Sequence, residues 1–174
     1  MATVRKVKIP EGVKVQIDGT ILRVTGPKGQ LERNVRFRQV SVTCDGKEVT
    51  IATESRRKEI MAMVGTFEAH TKNMCKGVHD GFEYRMKVFY SHFPIQLKMQ
   101  GNRLEINNFL GEKKARYARI ETGVSAKVAS DEVVLTGINR ELVGTSAANI
   151  EHATHIRDRD PRVFQDGIFI VQRG

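Results

Sequence analysis

Val13-Lys14-Val15-Gln16-Ile17-Asp18-Gly19-Thr20-Ile21-Leu22-Arg23-Val24 alternates apolar and polar residues on both sides of an Asp-Gly pair. That pattern encodes a β-hairpin, because Asp and Gly tolerate the positive φ of a tight turn and strict alternation gives each strand one apolar face. Ile95-Gln96-Leu97-Lys98-Met99-Gln100-Gly101-Asn102-Arg103-Leu104-Glu105-Ile106 repeats the design, with turn glycines Gly19 and Gly101 separated by 82 positions. At that offset Val13 meets Ile95, Val15 meets Leu97, Ile17 meets Met99, Leu22 meets Leu104, Val24 meets Ile106 and Gly29 meets Gly111.

The correspondence continues in order along the chain. Glu48-Val49-Thr50-Ile51 matches Glu132-Val133-Val134-Leu135 at an offset of 84. Lys58-Glu59-Ile60 matches Arg140-Glu141-Leu142 at 82, and Asp80-Gly81-Phe82 matches Asp166-Gly167-Ile168 at 86. One block could arise by chance, but several in the same order indicate two copies of one small domain. The drift from 82 to 86 places about four extra residues after the second helix, at Arg157–Arg162.

Each copy reads as a hairpin, a strand pair, a helix and a closing strand. In the first copy the strand pair is Val40–Cys44 and Lys47–Ala52 around Asp45-Gly46. The first helix is expected from Ser55, its cap, to Lys76, with Gly77 ending it and Ile60, Val64 and Phe67 on one face. The second is expected from Asn139 to Thr154, capped by Asn139, with Val143, Ala147 and Ile150 inward and Gly144 allowing close approach to the sheet. Phe82–Phe89 and Ile168–Gln172 are the expected closing strands. The fold class is therefore α+β, two tandem duplicated domains, each an antiparallel β-sheet packed with one helix. The boundaries are 1–90 and 91–174.

Composition restricts the partner. The chain of 174 residues holds 29 Lys and Arg against 20 Asp and Glu, a net charge of +9, which favours a polyanion. The start, Met1-Ala2-Thr3-Val4-Arg5-Lys6, is too polar for a secretory segment, no apolar run reaches membrane length, and two cysteines are too few for a disulfide framework. A cytoplasmic protein with reduced thiols and no membrane partner is expected.

Charge by copy is +7 for residues 1–90 (17 basic, 10 acidic) and +2 for residues 91–174 (12 basic, 10 acidic). Local density points the other way. Asn107-Asn108-Phe109-Leu110-Gly111-Glu112-Lys113-Lys114-Ala115-Arg116-Tyr117-Ala118-Arg119 carries four cations in a loop-like stretch. Its asparagines suit base edges, and Phe109 or Tyr117 suits an unpaired base. Arg157-Asp158-Arg159-Asp160-Pro161-Arg162 occurs in one copy only, and a loop added to one of two repeats is more often functional than structural. The candidate RNA-binding residues are Asn107, Asn108, Lys113, Lys114, Arg116, Arg119, Arg157, Arg159, Asp160 and Arg162, with Asp160 orienting the arginines. Arg33-Asn34-Val35-Arg36-Phe37-Arg38 is a second basic cluster, read either as a binding face or as a solvated edge strand.

Gly26-Pro27-Lys28-Gly29 has the G-x-x-G form of a KH loop but follows a strand, so a plain turn is the simpler reading. No phosphate-binding loop, zincin motif or nucleophile elbow occurs, so no enzyme activity, catalytic residue or cofactor is expected. His70, Cys75 and His79 lack a fourth ligand, and no metal site is expected.

Three markers, the first of them in two parts, together carry a family resemblance over almost the whole chain. They are Ile9-Pro10-Glu11-Gly12-Val13 with Val24-Thr25-Gly26-Pro27-Lys28-Gly29, then Asn108-Phe109-Leu110-Gly111-Glu112-Lys113, then Asp160-Pro161-Arg162-Val163-Phe164-Gln165-Asp166-Gly167-Ile168. The sequence resembles the large-subunit ribosomal protein six family, and the third marker looks like its archaeal and eukaryotic form. The resemblance implies two similar domains and a structural role in the large ribosomal subunit. It also implies main rRNA contacts from the second domain, near the sarcin–ricin loop and the region where translational GTPases dock, with ribosomal proteins as neighbours. A freestanding RNA-binding regulator with tandem KH-like modules is the alternative from another class.

Overall fold

The computed structural model describes residues 3–91, 93–160 and 162–174. Met1 and Ala2, His92 at the expected domain boundary and Pro161 in the C-terminal motif lie outside the described residues. The chain divides into two compact units, Met1–Gly81 and Phe82–Gly174.

In the first unit β2 (Lys14–Asp18), β3 (Ile21–Gly26) and β4 (Gly29–Asn34) form one antiparallel sheet, and β1 (Thr3–Lys8), β6 (Glu48–Thr53) and β5 (Ser41–Cys44) form another. Helix α1 (Lys58–His79) covers them. Leu22, Val24, Val49, Ile51 and Val64 are fully buried in this core.

The second unit repeats the plan. β8 (Gln96–Gln100), β9 (Arg103–Asn107) and β10 (Arg116–Arg119) form the three-stranded sheet. β11 (Val124–Val128), β12 (Glu132–Gly137), β7 (Phe82–Phe89) and β13 (Gly167–Arg173) form the larger one, in that order. Helix α2 (Arg140–Ala153) packs on both sheets, and Leu104, Ile106, Val133, Leu135, Val143, Ala147 and Ile150 have no exposed surface.

Both hairpins form as the spacing requires: Asp18 pairs with Ile21 and Gln100 with Arg103, and Gly19 and Gly101 take φ of 62° and 57°. Core positions match across the copies, Leu22 with Leu104 and Val24 with Ile106.

Strand β7 departs from the expectation. It pairs with β12 and β13 and belongs to the second unit, whereas the sequence pattern made it the closing strand of the first. Its register explains why: Met86 lies opposite Val133 just as Val7 lies opposite Val49, so β7 does for the second unit what β1 does for the first. Alternation buries Phe82, Tyr84, Met86 and Val88 in the second core. Strand β1, with only Val7 fully buried, gives too weak an apolar signal to be recognised as the opening strand of the repeat.

The helix ends also move. α1 starts at Lys58, three residues after Ser55, whose Oγ accepts the Arg57 N–H at 3.4 Å. Gly77 is buried inside the helix, and Gly81, at φ 75°, is the residue that ends it, its N–H meeting the Lys76 carbonyl. Asn139 does cap α2, accepting the Glu141 N–H at 2.9 Å. A Cβ at Gly144 would meet nothing within 4 Å, so this glycine is not what lets α2 approach the sheet. The close approach is at Gly137, where a Cβ would lie 2.8 Å from Val143 Cγ2.

The extra loop of the second copy is mostly a shortened helix. α1 has 22 residues and α2 has 14, and residues 154–166 replace the two-residue link 80–81 of the first unit.

Candidate nucleic-acid interface

Arg116 organises one end of the second unit. It begins β10, so the last four residues of the stretch expected as a loop are strand, paired with β9 from Arg116↔Ile106 to Arg119↔Arg103. Strand alternation then buries Ala118 and exposes Tyr117 and Arg119. The Arg116 guanidinium forms a fork with Glu112, Nη2 to Oε1 at 2.6 Å and Nε to Oε2 at 2.9 Å. Its Nη1 donates to the carbonyls of Ala153 at 3.0 Å and His155 at 3.1 Å, and its plane lies 4.3 Å from the centroid of buried Phe109. A planar five-donor cation is suited to this bridging.

Two expected roles change as a result. Arg116 spends its donors inside the protein, on the last carbonyl of α2, on the His155 carbonyl just beyond it and on Glu112, and does not present them outward. Phe109 lies beneath it with no exposed surface, so Tyr117, 56% exposed, is the ring available for stacking. Asn108 also turns inward. It sits in the left-handed region at φ 58° and its Nδ2 donates to the Pro94 carbonyl at 3.1 Å. Asn107 is the half-buried last residue of β9, paired with Gln96.

The same bridge brings the two basic segments together. Leu110, Glu112, Arg116 and Tyr117 from one side and His152, Ala153, His155, Arg157 and Arg159 from the other line a shared depression of about 610 Å³. Glu112 is held below the usual carboxylate range first by its hydrogen bond to Arg116, then by the charges of Arg116 and Arg159. Arg159 also stacks 4.7 Å from the Phe164 centroid.

Lys113, Lys114 and Arg157 are exposed and make no ion pair among the described residues. Arg119 is 74% exposed, with a long 3.5 Å contact to Glu121. Arg162 is 91% exposed and lies 3.7 Å from Asp160. Asp160 is a turn former: its Oδ1 accepts the Arg162 N–H at 2.9 Å and its carbonyl accepts the N–H groups of Val163 and Phe164. Thus Asp160 fixes the backbone that carries Arg162.

The G-x-x-G stretch is a hairpin end. Gly26 pairs with Gly29, Lys28 N donates to the Val78 carbonyl at 3.0 Å, and Lys28 Nζ reaches the Asp80 carbonyl. A Cβ on Gly26 would lie 2.8 Å from the Val78 oxygen, so this glycine serves packing on α1. The Arg33–Arg38 cluster is strand only to Asn34, after which Asn34 Oδ1 accepts the Arg36 N–H in a turn. Burial and the neighbouring Cys44 push the Cys75 thiol up to about 11. Among the described residues no group of three or more His, Cys, Asp or Glu is placed to hold a metal, and no helix is long and apolar enough to cross a membrane.

The family described as Ribosomal protein L6 matches residues 9–81 and 93–167, one segment in each unit. The chain belongs to this family. It is 57% identical over 173 residues to a protein of Methanospirillum hungatei named "Large ribosomal subunit protein uL6", covering 99% of this chain and 98% of that one. Proteins of the same name from Methanothrix thermoacetophila and Methanocella arvoryzae are 48% and 50% identical, each over 98% of this chain and 97% of the relative. The two matched segments agree with the tandem duplication, and the relatives with the archaeal form of the C-terminal motif. As a ribosomal protein L6 family member the chain has a structural, non-enzymatic role in the ribosome.

Proposed function

We propose that this L6-family chain binds large-subunit rRNA through the end of its second unit, supporting assembly of the large subunit and translation in the cytoplasm. Lys113, Lys114, Arg119, Arg157, Arg159 and Arg162 contact phosphates, Tyr117 stacks on an unpaired base, and Asn107, Asn108, Arg116 and Asp160 hold the loops in place. The docking region of translational GTPases and the sarcin–ricin loop are the proposed surroundings, with other large-subunit proteins as neighbours.

The observation that carries this reading is the Arg116 bridge, which gathers cations from two separate loops at one end of the unit. Phosphate binding needs such convergence, because salt screens charges more than about 8–10 Å apart under physiological conditions. The test compares Arg157→Ala, Arg159→Ala and Arg162→Ala together with Arg33→Ala, Arg36→Ala and Arg38→Ala together, at one salt concentration, on large-subunit rRNA. The first triple variant is expected to weaken binding far more and to flatten the plot of log K against log salt by about three. A larger loss from the second triple variant refutes the assignment.

A further inference from the structure

The first unit carries a concentration of cations that the second-unit surface does not use. Arg36 and Arg38 lie between β4 and β5, and Arg56, Arg57 and Lys58 lead into α1. These runs are some 20 residues apart in sequence, yet hydrogen bonds join them. Thr53 Oγ1 donates to the Gln39 carbonyl at 2.6 Å and accepts the Ser55 N–H at 3.2 Å. Ser41 pairs with Ala52 in the β5–β6 ladder, and Ser41 Oγ donates to the Ala52 carbonyl at 3.2 Å. One basic run therefore ends one residue before a bond whose other partner lies three residues before the second run.

All five cations are exposed, and none pairs with a carboxylate among the described residues. Elsewhere in the unit pairing is common: Arg5 and Lys72 share Glu68, Lys6 meets Glu48, and Arg23 lies between Asp18 and Glu32. Arg56, Arg57 and Lys58 also crowd the positive end of the α1 dipole, where Glu59 is the one acidic residue of the first turn and Glu54 precedes the run by two residues, three cations against two carboxylates. Cations there oppose helix formation unless an anion joins them. Phe37, 37% exposed, stands between Arg36 and Arg38.

We propose that Arg36, Arg38, Arg56, Arg57 and Lys58, with Phe37 among them, form a second RNA-binding surface, independent of the one on the second unit. Four of the five are arginines, whose flat donor fork matches phosphate oxygens two at a time. The exposed ring between two of them favours RNA with an unpaired base over an acidic polypeptide, since a base gives the ring a stacking partner.

The test counts RNA molecules on the full chain. The probe is a short RNA duplex with one bulged nucleotide, read by native mass spectrometry and by titration at low salt. The unaltered chain is expected to take two duplexes. The variant R36Q/R38Q/R56Q/R57Q/K58Q takes one, with its melting temperature equal to or above that of the parent, because exposed like charges have been removed. Phe37→Ala is expected to weaken the second event about tenfold, and to leave a duplex without a bulge unaffected. Two duplexes on the five-fold variant, or a single duplex on the unaltered chain, overturns the proposal. So does poly-glutamate displacing the RNA from this surface at equal charge concentration, since that marks an acidic protein as the partner.

Discussion

Replacing Arg116 with Met removes a guanidinium that does four things at once. It pairs with Glu112, caps the Ala153 and His155 carbonyls, and covers the Phe109 ring. The side chain is 26% exposed and Glu112 is 39% exposed, so water screens the ion pair and it contributes about 0.5–1 kcal/mol despite its good geometry. The bond to Ala153 is partly buried and adds about 1 kcal/mol, and the more exposed bond to His155 adds less. Stacking on the ring supplies roughly 0.5–1 kcal/mol. The sum is about 2–3 kcal/mol, which for a chain of this size lowers the melting temperature by roughly 4–12 °C. Differential scanning calorimetry measures this directly, and rRNA binding is measured on the same samples well below the transition. Arg116→Lys separates the two possible roles. A lysine can meet a phosphate as a point charge but cannot hold Glu112 and two carbonyls together, so it is expected to lose nearly as much stability as Met. If either variant keeps its full melting temperature while losing RNA affinity, Arg116 faces phosphate and the bridging argument is wrong.

Gly144→Ala is expected to raise stability by roughly 1 kcal/mol, because it improves helix propensity in open space. Gly26→Ala is expected to lower it by about 1–3 kcal/mol, because the new methyl meets the Val78 carbonyl oxygen, which is backbone and yields little; urea midpoints of opposite sign check the pair. The Glu112 carboxyl titrates below its unfolded value, so its contribution is complete above about pH 5 and is lost as pH falls through the ordinary glutamate value of about 4.3 and below. The stability of Glu112→Gln should therefore fall less steeply than that of the parent over this acid range, and parallel slopes in acid unfolding would contradict the assigned pair.

The duplication was legible because it rests on local chemistry. Gly19-Thr20 and Gly101-Asn102 turns, period-two alternation and the Asn139 cap each depend on neighbours a few residues away. The ordered matches at 82 to 86 positions needed only the written sequence. The family and its structural role were legible in the same way, through motifs that stand contiguous in the chain. Strand β7 was assigned to the wrong unit because its alternation shows that it is a strand but not which sheet receives it. That choice is made by register against Val133 and by burial of Phe82, Tyr84, Met86 and Val88, contacts far apart in the chain.

The cationic residues divide along the same line. Sequence alone determined which arginines and lysines are present, that they cluster in two stretches of the second copy, and that one stretch lacks a counterpart in the first. Only the tertiary structure decided which of them face outward. A guanidinium in a basic run reads the same whether it awaits a phosphate or caps a helix. Arg116 was fixed in the second role by α2 ending at Ala153, eight residues shorter than its counterpart, which left carbonyls for it to bind. Donors are directional and each serves one acceptor at a time, so their use depends on what the fold places beside them.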